Sequence, residues 1–273
     1  MRRVDPFVAT RWLPWALGTL VLMFLALPLF VVIPTAFSAS SLLRFPPRAW
    51  SLRWFYEYFG SDPWMRATLV SVKAGLAVSL LATALGLGLA ITFDRFRFRG
   101  RNILRALVMA PLMVPVVIIG VGLYVVFLRV GLNGSFLGLV IGHTVVTFPY
   151  ATVVIGASLG EIDKRLEQAA IGLGANPVRA FCEVTLPLIT PGVAIAALFG
   201  FLVSFDEVVI AIFVTGPQTA TLPRQIWDGI RFDLTPTIAA VATLLIALSA
   251  AVLLLGELLR RLLRRTPDAP AGA

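Results

Sequence analysis

Residues 161–187 read EIDKRLEQAAIGLGANPVRAFCEVTLP, a segment too polar to cross a bilayer and too regular for a plain loop. Ile162, Leu166, Ala169, Ala170 and Leu173 recur at helical spacing and define one apolar face. Glu161 and Asp163 stand at the start, where the helix dipole favours anions. Gly172 and Gly174 supply an end, and Asn176-Pro177 prevents continuation. A second short helical stretch from Val178 to Val184 then leads to Leu186-Pro187. The expectation is a short amphipathic helix followed by a sharp turn, joining whatever lies on either side.

What lies on either side is apolar. The 273-residue chain is 59% hydrophobic and 14% charged, against roughly 25% charged residues in soluble domains. So few charges cannot cover a water-facing surface. A hydrocarbon core ~30 Å thick needs ~20 apolar helical residues, and six stretches qualify: about 13–37, 69–93, 106–128, 136–159, 192–215 and 236–259. The fold class expected is an all-α integral membrane protein with six transmembrane helices. The segment 161–187 joins the fourth and fifth.

The net charge of +9 points to lipid headgroups, because the arginines cluster at the ends of apolar runs, and nucleic acid is not an expected partner. With the N-terminus inside, the inner segments hold fifteen Lys and Arg: Arg2, Arg3, Arg11; Arg95, Arg97, Arg99, Arg101, Arg105; Lys164, Arg165, Arg179; Arg260, Arg261, Arg264 and Arg265. The outer segments hold seven: Arg44, Arg48, Arg53, Arg66, Arg129, Arg224 and Arg231. This bias predicts cytoplasmic N- and C-termini and puts 161–187 on the inner side. The lone cysteine, Cys182, excludes an internal disulfide, and one Cys with one His makes a metal cage implausible.

Arg2, Arg3 and Arg11 ahead of an apolar run raise the question of a signal peptide, but the run exceeds the usual 7–15 residues and is read as a retained helix. The outer segment 38–66 carries Trp50, Trp54, Tyr56 and Tyr58, suiting an interfacial belt or a surface helix. Gly138 and Gly142, then Gly156 and Gly160, give small-residue pairs for close helix packing. Pro111 and Pro115 favour kinks in the third span. His143 reads as a bond between helices rather than a proton relay, and the arginines 95–105 as a topology anchor.

In the inner segment, Gln168, Ala169, Ala170, Gly174, Val184, Leu186 and Pro187 keep the spacing of a Glu-Ala-Ala, Gly, Ile-x-Leu-Pro loop. There the chain resembles the permease subunits of binding-protein-dependent ABC importers. Gln168 replaces the Glu and Val184 the Ile, and Glu167, one position earlier, offers a carboxylate on a different face. The resemblance implies a type I ABC importer permease fold, with an N-terminal helix and aromatic segment over 1–63. A core of five helices would follow over 64–261, containing a coupling loop at 160–190, and a cytoplasmic tail over 262–273. It also implies that Glu167, Gln168, Ala169, Ala170, Gly174, Leu186 and Pro187 form a coupling helix seated on a separate ATPase.

Two ATPase subunits would bind ATP and Mg; no cofactor is expected in this chain, which has no G-x-x-x-x-G-K-[ST] sequence and is not expected to be an enzyme. A second permease subunit, expected to differ from this one, would complete twelve helices. An external solute-binding protein would deliver the solute, and the bilayer of the bacterial inner membrane would surround the assembly.

The cargo is sought in the fifth span, where Ser204-Phe205-Asp206-Glu207 puts two carboxylates in an apolar run. Charges in lipid usually face a bundle interior or pathway. Asp206 and Glu207 suit a cationic solute, with Phe205, Trp227 and Asp228 beside the pathway. Equally, they brace the bundle against Arg224 or Arg231. SFDEVVIAIFVTG (204–216) and TLPRQIWDGIRFDLTPTIAAVATLL (221–245) look like the spermidine/putrescine-type branch. That branch also includes permeases for amino-acid-derived amines, opines, aminophosphonates and iron(III). An ATP-independent secondary carrier or channel would leave the inner loop without a role and would show matched broken helices. An intramembrane enzyme would need a catalytic constellation that is not visible in the spans.

Overall fold

The computed structural model describes residues 12–263. Arg2, Arg3, Arg11, Arg264, Arg265 and the rest of the tail lie outside the described residues, as do the side chains of Arg260 and Arg261. Among the described residues the chain is all-helical, with a single bridge between Ser38 and Trp50 and no strands. The helices are α1 (Trp12–Ala36), α2 (Arg53–Gly60), α3 (Asp62–Arg95), α4 (Arg101–Met113), α5 (Val116–Val130), α6 (Phe136–Gly160), α7 (Lys164–Gly172), α8 (Pro177–Ala180), α9 (Leu186–Asp206), α10 (Val209–Val214), α11 (Leu222–Phe232) and α12 (Thr237–Leu263). A π turn, Phe181–Thr185, joins α8 to α9. Pro14–Ala36 within α1, α3, α6 and the continuous run Pro177–Asp206 are each long and apolar enough to cross a membrane. The bent pair α4–α5 makes a fifth if it is one span.

The chain divides into two compact units. One takes residues before 62 and after 228. In it α12 packs on α1 and α2 around Ala36, Trp54, Ala239 and Ala240. Trp54 Nε1 donates to the Ser38 carbonyl at 2.7 Å, and Thr237 Oγ1 to Glu57 at 3.0 Å, so each buried donor has an acceptor. The surface helix expected in segment 38–66 is α2, with Trp54 and Tyr58 buried while Trp50, Tyr56 and Phe59 stay exposed.

The other unit, Asp62–Asp228, is built on α3, α6 and α9 in mutual contact. The buried stripe of α3 runs Ala67, Ser71, Ala74, Val78, Ala82, Gly86 and Ala90, small residues every three or four positions. Such a stripe lets helix axes approach closely where lipid removes the hydrophobic drive between helices. A Cβ on Gly86 would fall 2.7 Å from Ala151 Cβ, and one on Gly200 would lie 3.2 Å from Ser79 Cα. Gly142 is likewise tight against Ile210, whereas Gly156 and Gly160 face open space. Of the two glycine pairs expected to pack, only 138/142 is buried. Ser79 Oγ donates to the Ala197 carbonyl at 2.6 Å, tying α3 to α9.

Two expected spans are redrawn. The third, 106–128, is not one straight helix: α4 and α5 meet at 105°. Val114 is extended (ψ 132°) because proline excludes the helical region for the residue before it, and Pro115 then starts α5. Pro111, by contrast, sits inside α4. The fifth, 192–215, starts earlier and stops sooner. Helix runs unbroken from Pro177 through the π turn to Asp206, so Leu186 and Pro187 lie inside the run, and the turn after the amphipathic helix falls at Gly174 instead. Past Asp206, Glu207 is extended and α10 is a separate short helix.

Candidate functional site

At ~1.5 Å per residue the 34 residues of α3 reach ~50 Å, well beyond a ~30 Å hydrocarbon core. Its last turn, Asp94 and Arg95, therefore projects to where polar groups are tolerated. There it meets α7. Arg95 Nη2 donates to Glu167 Oε2 at 2.6 Å, and Lys164 Nζ to Asp94 Oδ1 at 2.8 Å. Thr185 Oγ1, in the π turn, donates to the same Glu167 oxygen at 2.7 Å. The Arg95 guanidinium also lies 5.0 Å from the Phe181 ring centre. Glu167 thus fastens α7 both to the end of α3 and to the start of the α9 run.

The local chemistry of α7 follows its sequence. Asp163 caps the helix, accepting from Arg165 N at 2.9 Å. Gly174 ends the segment with φ +98°, a left-handed conformation that glycine adopts without steric cost. Asn176 then caps α8, accepting from Arg179 N at 2.8 Å, with Pro177 in the first turn.

The face of α7 is the reverse of a packing face. Glu167 and Ala170 are half-buried, while Leu166, Gln168, Ala169 and Ile171 are exposed. Leu173 is 91% exposed and Val178 73%. Of the apolar positions read as one face, Ile162 and Ala170 turn toward the protein and Leu166, Ala169 and Leu173 away from it. Leu166 on α7 and Leu173 at its C-cap thus form an exposed apolar edge on a helix whose position is fixed. Leu186 is half-buried and Pro187 exposed at the start of α9, below the same segment. Asp94, Lys164 and Thr185 escaped the sequence reading. Asp94 was nevertheless visible as the last carboxylate before a run that has none until Glu161.

The residues expected along a solute pathway scatter more. Phe205 stacks on Phe201 at 5.6 Å, and Asp206 is exposed at the last position of α9. Glu207 Oε1 accepts from Ile210 N at 3.0 Å, so this carboxylate caps α10. Arg224 donates to the carbonyl and hydroxyl of Thr215, and its Nε lies 3.6 Å from Asp228 Oδ2; it braces the end of α10 and pairs with Asp228 rather than with Asp206 or Glu207. Trp227 is exposed on α11. Among the described residues no hydrogen bond or ion pair joins Asp206 to Trp227 or Asp228. Nearby, His143 Nδ1 and Ser204 Oγ are 3.0 Å apart, the bond between helices expected of His143.

The family model for the binding-protein-dependent transport system inner membrane component matches residues 82–266. The putrescine transport system permease protein PotI of Escherichia coli is 34% identical, over 85% of this chain and 86% of its own length. The spermidine/putrescine transport system permease protein PotC of Haemophilus influenzae is 31% identical, over 88% and 93%. Among solved structures, a bacterial alginate ABC transporter in complex with alginate pentasaccharide-bound periplasmic protein superposes with a TM-score of 0.70 at 19% identity, covering 93% of this chain and 95% of the other. With its apolar helices and the loop spacing of 168–187, the chain belongs to the binding-protein-dependent transport system inner membrane components, the permease subunits of ABC importers in the bacterial inner membrane.

Proposed function

We propose that this chain is half of the membrane pathway of a polyamine importer, carrying a solute such as putrescine or spermidine inward. The observation that carries the transport reading is α7: clamped through Glu167 to Arg95 and Thr185, it holds Leu166 and Leu173 out for a partner. The partner is an ATPase subunit, two copies per assembly, which binds ATP and Mg. Its closure pushes on Gln168, Ala169, Ala170 and Gly174, and the clamp passes that displacement to α3 and, through Leu186 and Pro187, to α9. The relatives' substrates, putrescine and spermidine, support the choice of cargo.

In this reading α12, 27 residues long, and the bent α4–α5 pair complete six spans, with both termini in the cytoplasm. The core runs over 64–261, preceded by 1–63 and followed by a tail at 262–273. A second permease chain supplies the other six helices, and an external solute-binding protein delivers cargo to the far end. Asp206, at the end of α9 and without a basic partner among the described residues, meets the cation, with Phe205, Glu207, Trp227 and Asp228 lining its route.

The test is reconstitution. Cells expressing the chain with an ATPase subunit, a second permease and a binding protein of the same system should accumulate labelled putrescine in an ATP-dependent manner. A Leu173→Cys chain should cross-link to the ATPase. Uptake without ATPase, or cross-linking confined to the outer face, refutes the coupling. ATP-driven uptake of another solute refutes only the cargo.

A further inference from the structure

Between α3 and α4 the chain reads RFRFRGR over 95–101, followed by Arg105, and no carboxylate occurs between Arg95 and Gly160. Arg95 is taken by Glu167. Arg97, Arg99, Arg101 and Arg105 have no ion pair among the described residues, which makes this the densest uncompensated charge on the described chain. Arg101 is held in place, donating to the Phe93 carbonyl, while its Nε is buried with no hydrogen-bond partner. Phe96, Phe98 and Ile103, interleaved with the arginines, are exposed.

A shallow, open cleft lined by Arg97, Phe98, Gly100, Arg101, Asn102 and Ile103 lies at the N-terminus of α4. That helix has no side-chain cap, because its N-cap is Gly100 at φ +88°. Arg101 N donates to the Phe98 carbonyl, which leaves the Asn102 and Ile103 amides and the positive dipole end facing a cleft lined by Arg97 and Arg101, a combination that favours a phosphate. The cleft lies between α3, long and apolar enough to cross a membrane, and the bent α4–α5 pair, and the exposed Phe96, Phe98 and Ile103 set apolar surface beside its arginines.

We propose that Arg97 and Arg101, with the first turn of α4, bind the phosphodiester headgroup of an anionic phospholipid. The guanidinium forks grip the phosphate oxygens, the α4 amides complete the shell, and Phe96, Phe98 and Ile103 lie against the acyl chains. The site stands on membrane insertion alone and does not require docking of an ATPase at α7. It lies next to the α7 clamp in the chain, since Asp94 and Arg95 immediately precede it.

The full chain in its assembly, released from nanodiscs of mixed phosphatidylglycerol and phosphatidylcholine, is examined by native mass spectrometry for retained lipid. Retention of phosphatidylglycerol over phosphatidylcholine is expected, because the choline ammonium beside the same phosphodiester is repelled by the arginines, and it should fall about fivefold for each arginine neutralised in Arg97→Gln and Arg101→Gln. A double lysine variant at Arg97 and Arg101 keeps the charge that sets topology but loses the fork, and it should retain the lipid more weakly than wild type. Equal retention of the two lipids, or a lysine variant as selective as wild type, overturns the proposal in favour of diffuse charge attraction. Displacement of the lipid by low-millimolar inorganic phosphate overturns it in favour of a soluble-anion site.

Discussion

Replacing Glu167 by alanine removes one acceptor oxygen that serves two donors. Arg95 Nη2 and Thr185 Oγ1 approach it at 2.6 and 2.7 Å, and the Arg95 and Glu167 side chains are only 26% and 20% exposed. Hydrogen bonds to charged groups contribute about 1.5–3 kcal/mol each, and partial exposure reduces this. A net loss of about 2 kcal/mol in the docking of α7 follows, or about thirtyfold in its local opening equilibrium. Lys164→Ala is the internal control: its ammonium, 63% exposed, pairs with Asp94 in solvent and should count for less than about 1 kcal/mol. Hydrogen exchange on the assembly reads both. Amides of α7 should lose about thirtyfold protection in Glu167→Ala, while α3 and α6 core amides keep theirs, and ATP hydrolysis should continue without matching uptake. A loss below about threefold, or equal losses in the two variants, refutes the reasoning.

Gly174→Val forces a branched side chain into φ +98°, at a cost of about 1–2 kcal/mol; uptake should fail while the protein still inserts, and unchanged uptake counts against the turn being needed. Asp206→Asn should reduce uptake of a dicationic solute selectively, measured against an uncharged analogue; equal losses for both point to a bracing role. Gly86→Val drives a side chain into Ala151 and should cost about 1–3 kcal/mol by thermal unfolding, whereas Gly88→Ala, with open space around it inside α3, should not destabilise and should add up to about 1 kcal/mol. Ser204→Ala leaves His143 Nδ1 without its partner in a buried site and should cost about 1–3 kcal/mol by the same measurement.

Length and local chemistry were readable from the residues alone. The first span, expected at 13–37, is Trp12–Ala36, because an uninterrupted apolar run has only one way to satisfy its backbone in lipid. Asp163, Gly174 and Asn176 act where their side chains or their lack of one demand. Features that depend on distant partners were not readable. Arg95 and Glu167 are 72 positions apart, and Arg95 is one of five similar arginines. Pro111 and Pro115 are the same residue four positions apart, yet one is absorbed and the other ends its helix. Periodicity correctly marked α7 as helical, but the residues it grouped on one apolar face divide, Ile162 and Ala170 turning toward the protein and Leu166, Ala169 and Leu173 away from it. Which side of a helix turns inward depends on the ion pair it finds, and the spacing of leucines carries no record of that.

The right-angled corner at Pro115 has a cost that a straight rod avoids. Each helix that stops leaves amide hydrogens or carbonyl oxygens without their usual partners, and Val114 N, bonded to Ala110 O, with Ile118 N and Ile119 N, both bonded to Pro115 O, accounts for only some of them. Hydrocarbon offers nothing in exchange. A corner of this kind survives only where moisture or a neighbouring polypeptide reaches it, so the elbow marks a spot that fatty acyl tails cannot occupy.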